Sequence, residues 1–150
     1  MSHSRTPSPL RALTPREASI FACVCDTVIA PEPSLPPVRE TDAVLAFDRM
    51  LASSPRLNRV ALRALLHVAE LAPRAVSGAR LRALGSEQRA RLLARVESMR
   101  SPQLRQLLTL VKSVACINYY GDRAVSLQLG YDADAVIARA RALRSAEARP

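Results

Sequence analysis

Tryptophan is absent from this chain, and aromatic residues of every kind make up 3% of its 150 residues. A core built without them must be filled by Leu, Val and Ala. Glycine is scarce as well, at four residues, while the eleven prolines cluster at apparent segment starts and in one loop. That balance favours helices separated by proline-marked joints over a β-sandwich. Three cysteines do not make a disulfide framework. Cys23 and Cys25 stand two apart on a predicted helix and so point to roughly opposite sides, where they cannot easily share one metal. Cys116 lies within an apolar helical pattern, and all three read as buried free thiols.

Catalytic constellations are equally scarce. The two histidines are His3, near the start, and His67, beside Leu66 and Val68, which reads as a boundary residue rather than a base. There is no H-E-x-x-H, C-x-x-C, C-x-x-C-H, G-x-G-x-x-G, P-loop or G-x-S-x-G pattern. The acids Asp122, Asp132 and Asp134 form one cluster, but Asp122 suits a helix cap and Asp132 a turn, and both roles rank above metal binding. No run approaches 18 apolar residues, so no segment is expected to span a membrane. The opening MSHSRTPSPLRA lacks a continuous apolar h-region and a twin-arginine pair. The expectation is a cytoplasmic chain, exported only if a partner carries it.

What is present is helical grammar. Residues 1–12, rich in Ser, Pro and Arg, read as a disordered arm. Thr14-Pro15-Arg16-Glu17 is then a strong helix start: Thr14 as cap, Pro15 at the first position, Glu17 closing a capping box. Phe21, Val24, Cys25 and Val28 form one apolar face, and the prolines from Pro31 end the helix near Ala30. Thr41 or Asp42 caps a second helix through Val44, Phe47 and Leu51. Ser54-Pro55 opens a third to about Leu71, with an expected apolar face of Leu57, Val60, Ala61, Ala64, Leu65, Val68 and Leu71. An irregular or one-turn link carrying Leu81 and Leu84 follows. Ser86 is expected to cap a fourth helix bearing Leu92, Leu93, Val96 and Met99.

Ser101-Pro102 opens the most apolar pattern in the chain. Leu104, Leu107, Leu108, Val111, Val114 and Ala115 form its main stripe, and Leu110 and Ile117 extend it to a second side, as expected of a central helix. Asp122 caps a short helix that Gly130 terminates, and a peripheral Ala- and Arg-rich helix covers residues 133–145. The expected architecture is an all-α, single-domain bundle of about five to seven helices with a central apolar helix near 102–118. Its helical domain spans 13–132, followed by a peripheral helix and frayed tail over 133–150.

Charge is uneven. The formal net charge is +9, and residues 54–112 hold its surplus, with eleven Arg and Lys112 against Glu70, Glu87 and Glu97. Such a stretch attracts nucleic acid, an anionic membrane or an acidic protein, or is simply a set of solvated helix faces. Arg80 and Arg82 before the Gly85-Ser86 turn, with Arg89, Arg91 and Arg95 after it, fit a helix-turn-helix only loosely. Aromatic platforms for base stacking are missing there. Nucleic acid therefore ranks below a protein partner, and a basic nucleic-acid-binding or regulatory module is the alternative reading. Tyr119, Tyr120 and Tyr131, all the tyrosines in the chain, lie within thirteen residues. They suit either the closing of the bundle end or an interface.

Two segments, Leu13–Pro33 (LTPREASIFACVCDTVIAPEP) and Asn118–Asp132 (NYYGDRAVSLQLGYD), carry a family likeness. Their order and separation in an all-helical context resemble the gluconate 2-dehydrogenase subunit 3 family, small subunits of membrane-associated sugar dehydrogenases. A similar module precedes the flavin domain in some long-chain alcohol oxidases. The likeness covers about residues 13–132. It implies that this chain is not the catalyst and binds no cofactor of its own. FAD would sit in a partner flavoprotein of the glucose–methanol–choline type, whose folding, stability or maturation the chain supports. Carried over by position, Asp26, Ile29 and Pro31 shape the first helix and its exit, and Tyr119, Tyr120, Gly121, Asp122, Leu129, Gly130 and Tyr131 form the family corner or partner interface. The twin-arginine signal frequent in that family is missing from this opening.

Overall fold

A computed structural model of the chain describes residues 10–147. Helix α1 (Pro15–Ile29) begins as its sequence dictates. The Glu17 amide donates to Thr14 Oγ1 at 3.3 Å, and Glu17 Oε2 accepts from the Thr14 amide at 2.8 Å. The helix ends at Ala30, which takes the left-handed conformation at φ 44° before Pro31 stops any continuation. That conformation costs a non-glycine residue roughly 1–2 kcal/mol. Nine further elements follow. They are α2 (Ala43–Ser53), α3 (Arg56–Leu71), the single turn α4 (Arg74–Ser77), α5 (Ser86–Ser98), α6 (Pro102–Tyr120), α7 (Arg123–Gln128), α8 (Ala133–Glu147), and two 3-10 turns at Val38–Glu40 and Leu81–Ala83. The fold is an all-helical bundle in one unit, with no strand among the described residues.

The helix at the centre is α1, where the pattern expectation placed α6. Ile20, Phe21, Val24 and Cys25 are fully enclosed, and α1 packs against α2, α3, α5 and α6, most extensively against α6. Phe21 stacks on Phe47 of α2 with ring centroids 4.0 Å apart. Each such buried side chain contributes on the order of 1.5–3 kcal/mol. In contrast, α6 buries only Ala115, Asn118 and Tyr119, near its C-terminal end. Its apolar residues occupy more than one side of the helix, so one side meets α1 while Leu104, Leu107, Leu110 and Ile117 stay exposed.

Helix α3 also turns a different face inward. Leu57, Val60, Val68 and Leu71 of the expected stripe are exposed, whereas Leu66 and Glu70 are buried and Leu62 and Ala69 pack on the core. That orientation also serves polar groups. Rotating Arg63 and Glu70 towards α1 and the 81–83 turn lets each form an ion pair, with Glu17 and Arg82 respectively. A second apolar stripe is thereby left at the surface.

Residues 10–13, the end of the expected arm and its junction with the helix, are tied down. Leu10 packs against the core, and the amides of Arg11, Ala12 and Leu13 all donate to the Asp48 carboxylate at 2.8–2.9 Å. Residues 1–9 and 148–150, where the remainder of the arm and the end of the tail fall, lie outside the described residues. Gly85 rather than Ser86 occupies the cap position of α5, its amide bound by Gln88 Oε1. Helix α8 makes only slight contact with the other elements, with Val136, Ile137 and Leu143 exposed, as its modest apolar content leads one to expect.

Candidate partner-facing site

The residues of the Tyr-Tyr-Gly-Asp corner divide into an inner and an outer set. Tyr119 is fully buried, and its hydroxyl donates to the Pro36 carbonyl at 2.6 Å. Burial is the main cause that raises its phenol pKa above the ordinary value, with Tyr120 and Asp122 adding to it. Gly121 lets the chain turn where α6 ends: a Cβ there would lie 2.7 Å from the Ile117 carbonyl oxygen. Asp122 is buried and uses both oxygens. Oδ1 accepts from the Ala124 and Val125 amides and caps α7, while Oδ2 accepts from the Asp42 amide at 2.7 Å. One carboxylate thus joins the starts of α7 and α2.

The outer set is Tyr120, Leu129 and Tyr131, exposed at 42, 55 and 58%. Tyr120 meets Tyr119 edge-on at 5.1 Å, and its carbonyl accepts from Ser126 Oγ. Gly130 takes φ 77° after α7, and the Tyr131 amide closes on the Ser126 carbonyl. The corner therefore presents two phenol rings and a leucine around a rigid, internally bonded turn. Rings held at low conformational cost are the usual anchors of interfaces. Asp26, Ile29 and Pro31 stand at the C-terminal end of α1, Ile29 packed on the core and Asp26 exposed but near enough to Tyr119 to add to its raised pKa.

The buried titratable groups are engaged in structure. Glu17 accepts from Thr14, from Arg63 Nε at 2.7 Å and Nη2 at 3.1 Å, and faces His67 Nε2 at 3.3 Å. Burial opposes its charge, but the Arg63 and Thr14 hydrogen bonds outweigh that and hold its pKa at about 2. A carboxylate so strongly ionised is a poor proton donor or acceptor near neutrality. The three amides on Asp48 likewise outweigh its burial and lower its pKa. Glu70 accepts from the Arg82 amide and Nε. Cys25 is pushed well above the usual thiol range, chiefly by burial, which makes it unreactive. Cys23 accepts from Arg89 Nη1.

Asp132 Oδ1 accepts from the Asp134 and Ala135 amides at the start of α8, and Asp134 lies 3.4 Å from Arg123. No three His, Cys, Asp or Glu side chains among the described residues are arranged to hold a metal ion. No described helix is long and apolar enough to cross a membrane.

The arginine-rich middle does not form two helices around a turn: the element before Gly85 is the three-residue 3-10 turn 81–83. Arg82 and Arg89 are drawn inward, to Glu70 and Ser19 and to Cys23. Arg59 caps the carbonyls that end α2. Arg91 pairs with Glu87 on the surface, and Lys112 of α6 pairs with Glu97 of α5.

Between α1, α3, α5 and α6 runs an open apolar groove of about 280 Å³, which the sequence pattern did not foretell. Val28, Leu65, Val68, Leu92, Leu107 and Val111 line it. Its signal was visible as surplus apolar residues on α3 and α6, but only packing shows which of them stay uncovered. No family model, curated protein or solved structure matches the chain.

Proposed function

We infer that this chain is a non-catalytic small subunit that binds a flavin-dependent alcohol or sugar dehydrogenase or oxidase and supports its folding, stability or maturation. The observation that carries this reading is the meeting of its two family-like segments. Leu13–Pro33 and Asn118–Asp132 are about a hundred residues apart in sequence, yet α1 packs against α6, whose last turn opens the second segment, and Asp26 of the first lies near enough to Tyr119 of the second to act on its hydroxyl. The Tyr119 hydroxyl reaches the Pro36 carbonyl just beyond the first segment. This proximity supports treating the two segments as parts of one corner, with Tyr120, Leu129 and Tyr131 presented outward from it. In this reading FAD and the chemistry belong to the partner, of the glucose–methanol–choline type. This chain contributes apolar surface and a rigid turn, in keeping with the apolar character of obligate interfaces.

Co-expression with a candidate flavoprotein of the glucose–methanol–choline type, followed by size exclusion, tests the reading. One peak containing both chains and a raised yield of flavin-loaded partner is expected. Two separate peaks with unchanged flavoprotein yield would sink it. A second reading, a basic nucleic-acid-binding or regulatory module, draws on Arg80, Arg95, Arg100 and Arg105, which make no ion pair with a described residue. It requires duplex DNA binding that falls steeply as salt rises, and absence of binding at low salt removes it.

A further inference from the structure

The apolar groove between α1, α3, α5 and α6 has open walls. Val68 on α3, Val76 just beyond it, and Leu104 and Leu107 on α6 all line it, yet each keeps between 38 and 51% of its surface exposed. Small-molecule sites enclose most of their ligand. A thin alkyl chain lying between walls this exposed would leave much of itself in water. A wider occupant, which brings its own apolar stripe, covers both walls at once. The α6 wall from Leu104 to Val111 runs about 10 Å at 1.5 Å per residue, which matches roughly two turns of a second helix.

Charge decides what flanks that stripe. The groove continues into a shallower cleft of about 210 Å³ lined by Gln88, Arg91 and Arg95, with Val76, Leu92 and Arg95 shared by both. Arg95 makes no ion pair with a described residue. Meanwhile Glu70, Glu87 and Glu97, the only acids between residues 54 and 112, are taken up by Arg82, Arg91 and Lys112. Arg74, Arg100 and Arg105, also without an ion pair, lie on the segments that border the groove. An occupant therefore meets a hydrophobic floor and a cationic rim.

We propose that this groove docks an amphipathic helix of a partner protein, an apolar stripe seated between α3 and α6 with Asp or Glu flanks facing Arg95. Helix-in-groove recognition of this kind reads anchors at i, i+3, i+4 and i+7, and complementary charge sets orientation and on-rate. The proposal rests on the chain acting as a subunit, but not on the partner being a flavoprotein. The same helix with basic flanks is repelled.

The test uses three fluorescein-labelled peptides of about five turns and the full chain. One carries Leu at i, i+3, i+4 and i+7 with Glu flanks; the second has Lys flanks; the third has the Glu composition with the leucines scattered. Fluorescence anisotropy at low salt should show the Glu peptide binding about tenfold or more tighter than either control, with the preference shrinking as salt rises. Leu107→Gln should weaken the Glu peptide about tenfold, with the thermal midpoint unchanged because Leu107 is already partly exposed. Arg95→Glu should shift the preference towards the Lys peptide, which a folding defect would not do. Equal binding of all three peptides, or binding of none, overturns the proposal. So does binding to phosphatidylglycerol vesicles without discrimination among the peptides. If a Val68→Gln, Leu107→Gln double variant loses the peptide but still co-elutes with the flavoprotein, the subunit reading stands and the groove is not its docking site. If the wild-type chain discriminates the peptides yet binds no flavoprotein, the groove assignment stands and the flavoprotein reading falls.

Discussion

The Tyr119 hydroxyl and the Pro36 carbonyl oxygen lie 2.6 Å apart, joining the last turn of α6 to the proline-rich connection after α1. The ring beneath that hydroxyl is fully buried. Tyr119 is thus a clamp between two segments that sequence distance keeps apart, while its neighbour Tyr120 turns outward. Tyr119→Phe keeps the ring and leaves the Pro36 carbonyl short of a donor. The expected loss is about 1–2 kcal/mol, read as a fall of roughly 2–8 °C in the thermal midpoint by circular dichroism. An unchanged midpoint would show that the hydroxyl does not clamp the loop.

Gly121 is the second element of the corner, and its constraint is steric rather than conformational. Its φ of −75° is available to any residue, but a Cβ would meet the Ile117 carbonyl oxygen at 2.7 Å. Gly121→Ala should cost about 1–3 kcal/mol, as overpacking against fixed backbone does. Chemical denaturation would measure it as a lower urea midpoint at similar slope. At Gly78, where a Cβ meets nothing within 4 Å but φ is 72°, the same substitution acts through backbone strain instead.

The inward rotation of α3 makes a sharp contrast between two leucines. Leu66 is 6% exposed and Leu57 79%. Leu66→Ala should lose about 2–5 kcal/mol, whereas Leu57→Ala should stay within about 0.5 kcal/mol of the wild type. Urea titrations of both variants check it. Equal losses would restore the face that simple periodicity places inward.

Acid stability follows from Glu17 and Asp48. Both pKa values lie below their ordinary values in the folded state, Glu17 from 4.5 to about 2. The unfolded chain therefore binds more protons than the folded one as pH falls. The stabilisation from these carboxylates is fully present above about pH 4.5 and is lost as pH drops towards 2. Glu17→Gln should flatten the decline of the thermal midpoint across that window while lowering the midpoint at neutral pH, where Arg63 loses its charged partner. An identical pH profile for wild type and variant would contradict this account.

Local chemistry made much of the fold legible. The capping box at Thr14 and Glu17, Asp122 as the cap of α7, the proline stops and the one-turn link all follow from backbone donors that need partners and from rings that cannot donate. These interactions span three or four residues, so the chain order alone contains them. The candidate corner was visible as a cluster of tyrosines, but not its division into a buried Tyr119 and exposed Tyr120 and Tyr131. Adjacent helical positions point about 100° apart, and only the placement of the Pro36 loop selects which ring goes in.

By itself the sequence determined an all-helical chain, most of the starts and stops of its helices, and a middle whose acids are too few for its arginines. The tertiary structure decided which helix is central and which apolar stripes remain uncovered. The physical reason is that hydrophobic periodicity has no address. Leu57 and Leu66 are equally apolar, and the observed orientation seats Leu62, Leu66 and Ala69 on the core while giving Arg63 and Glu70 their long-range partners, Glu17 and Arg82. Burying those carboxylates without their arginines would cost several kcal/mol. That orientation put Val68 at the surface opposite Leu107 and so created the groove.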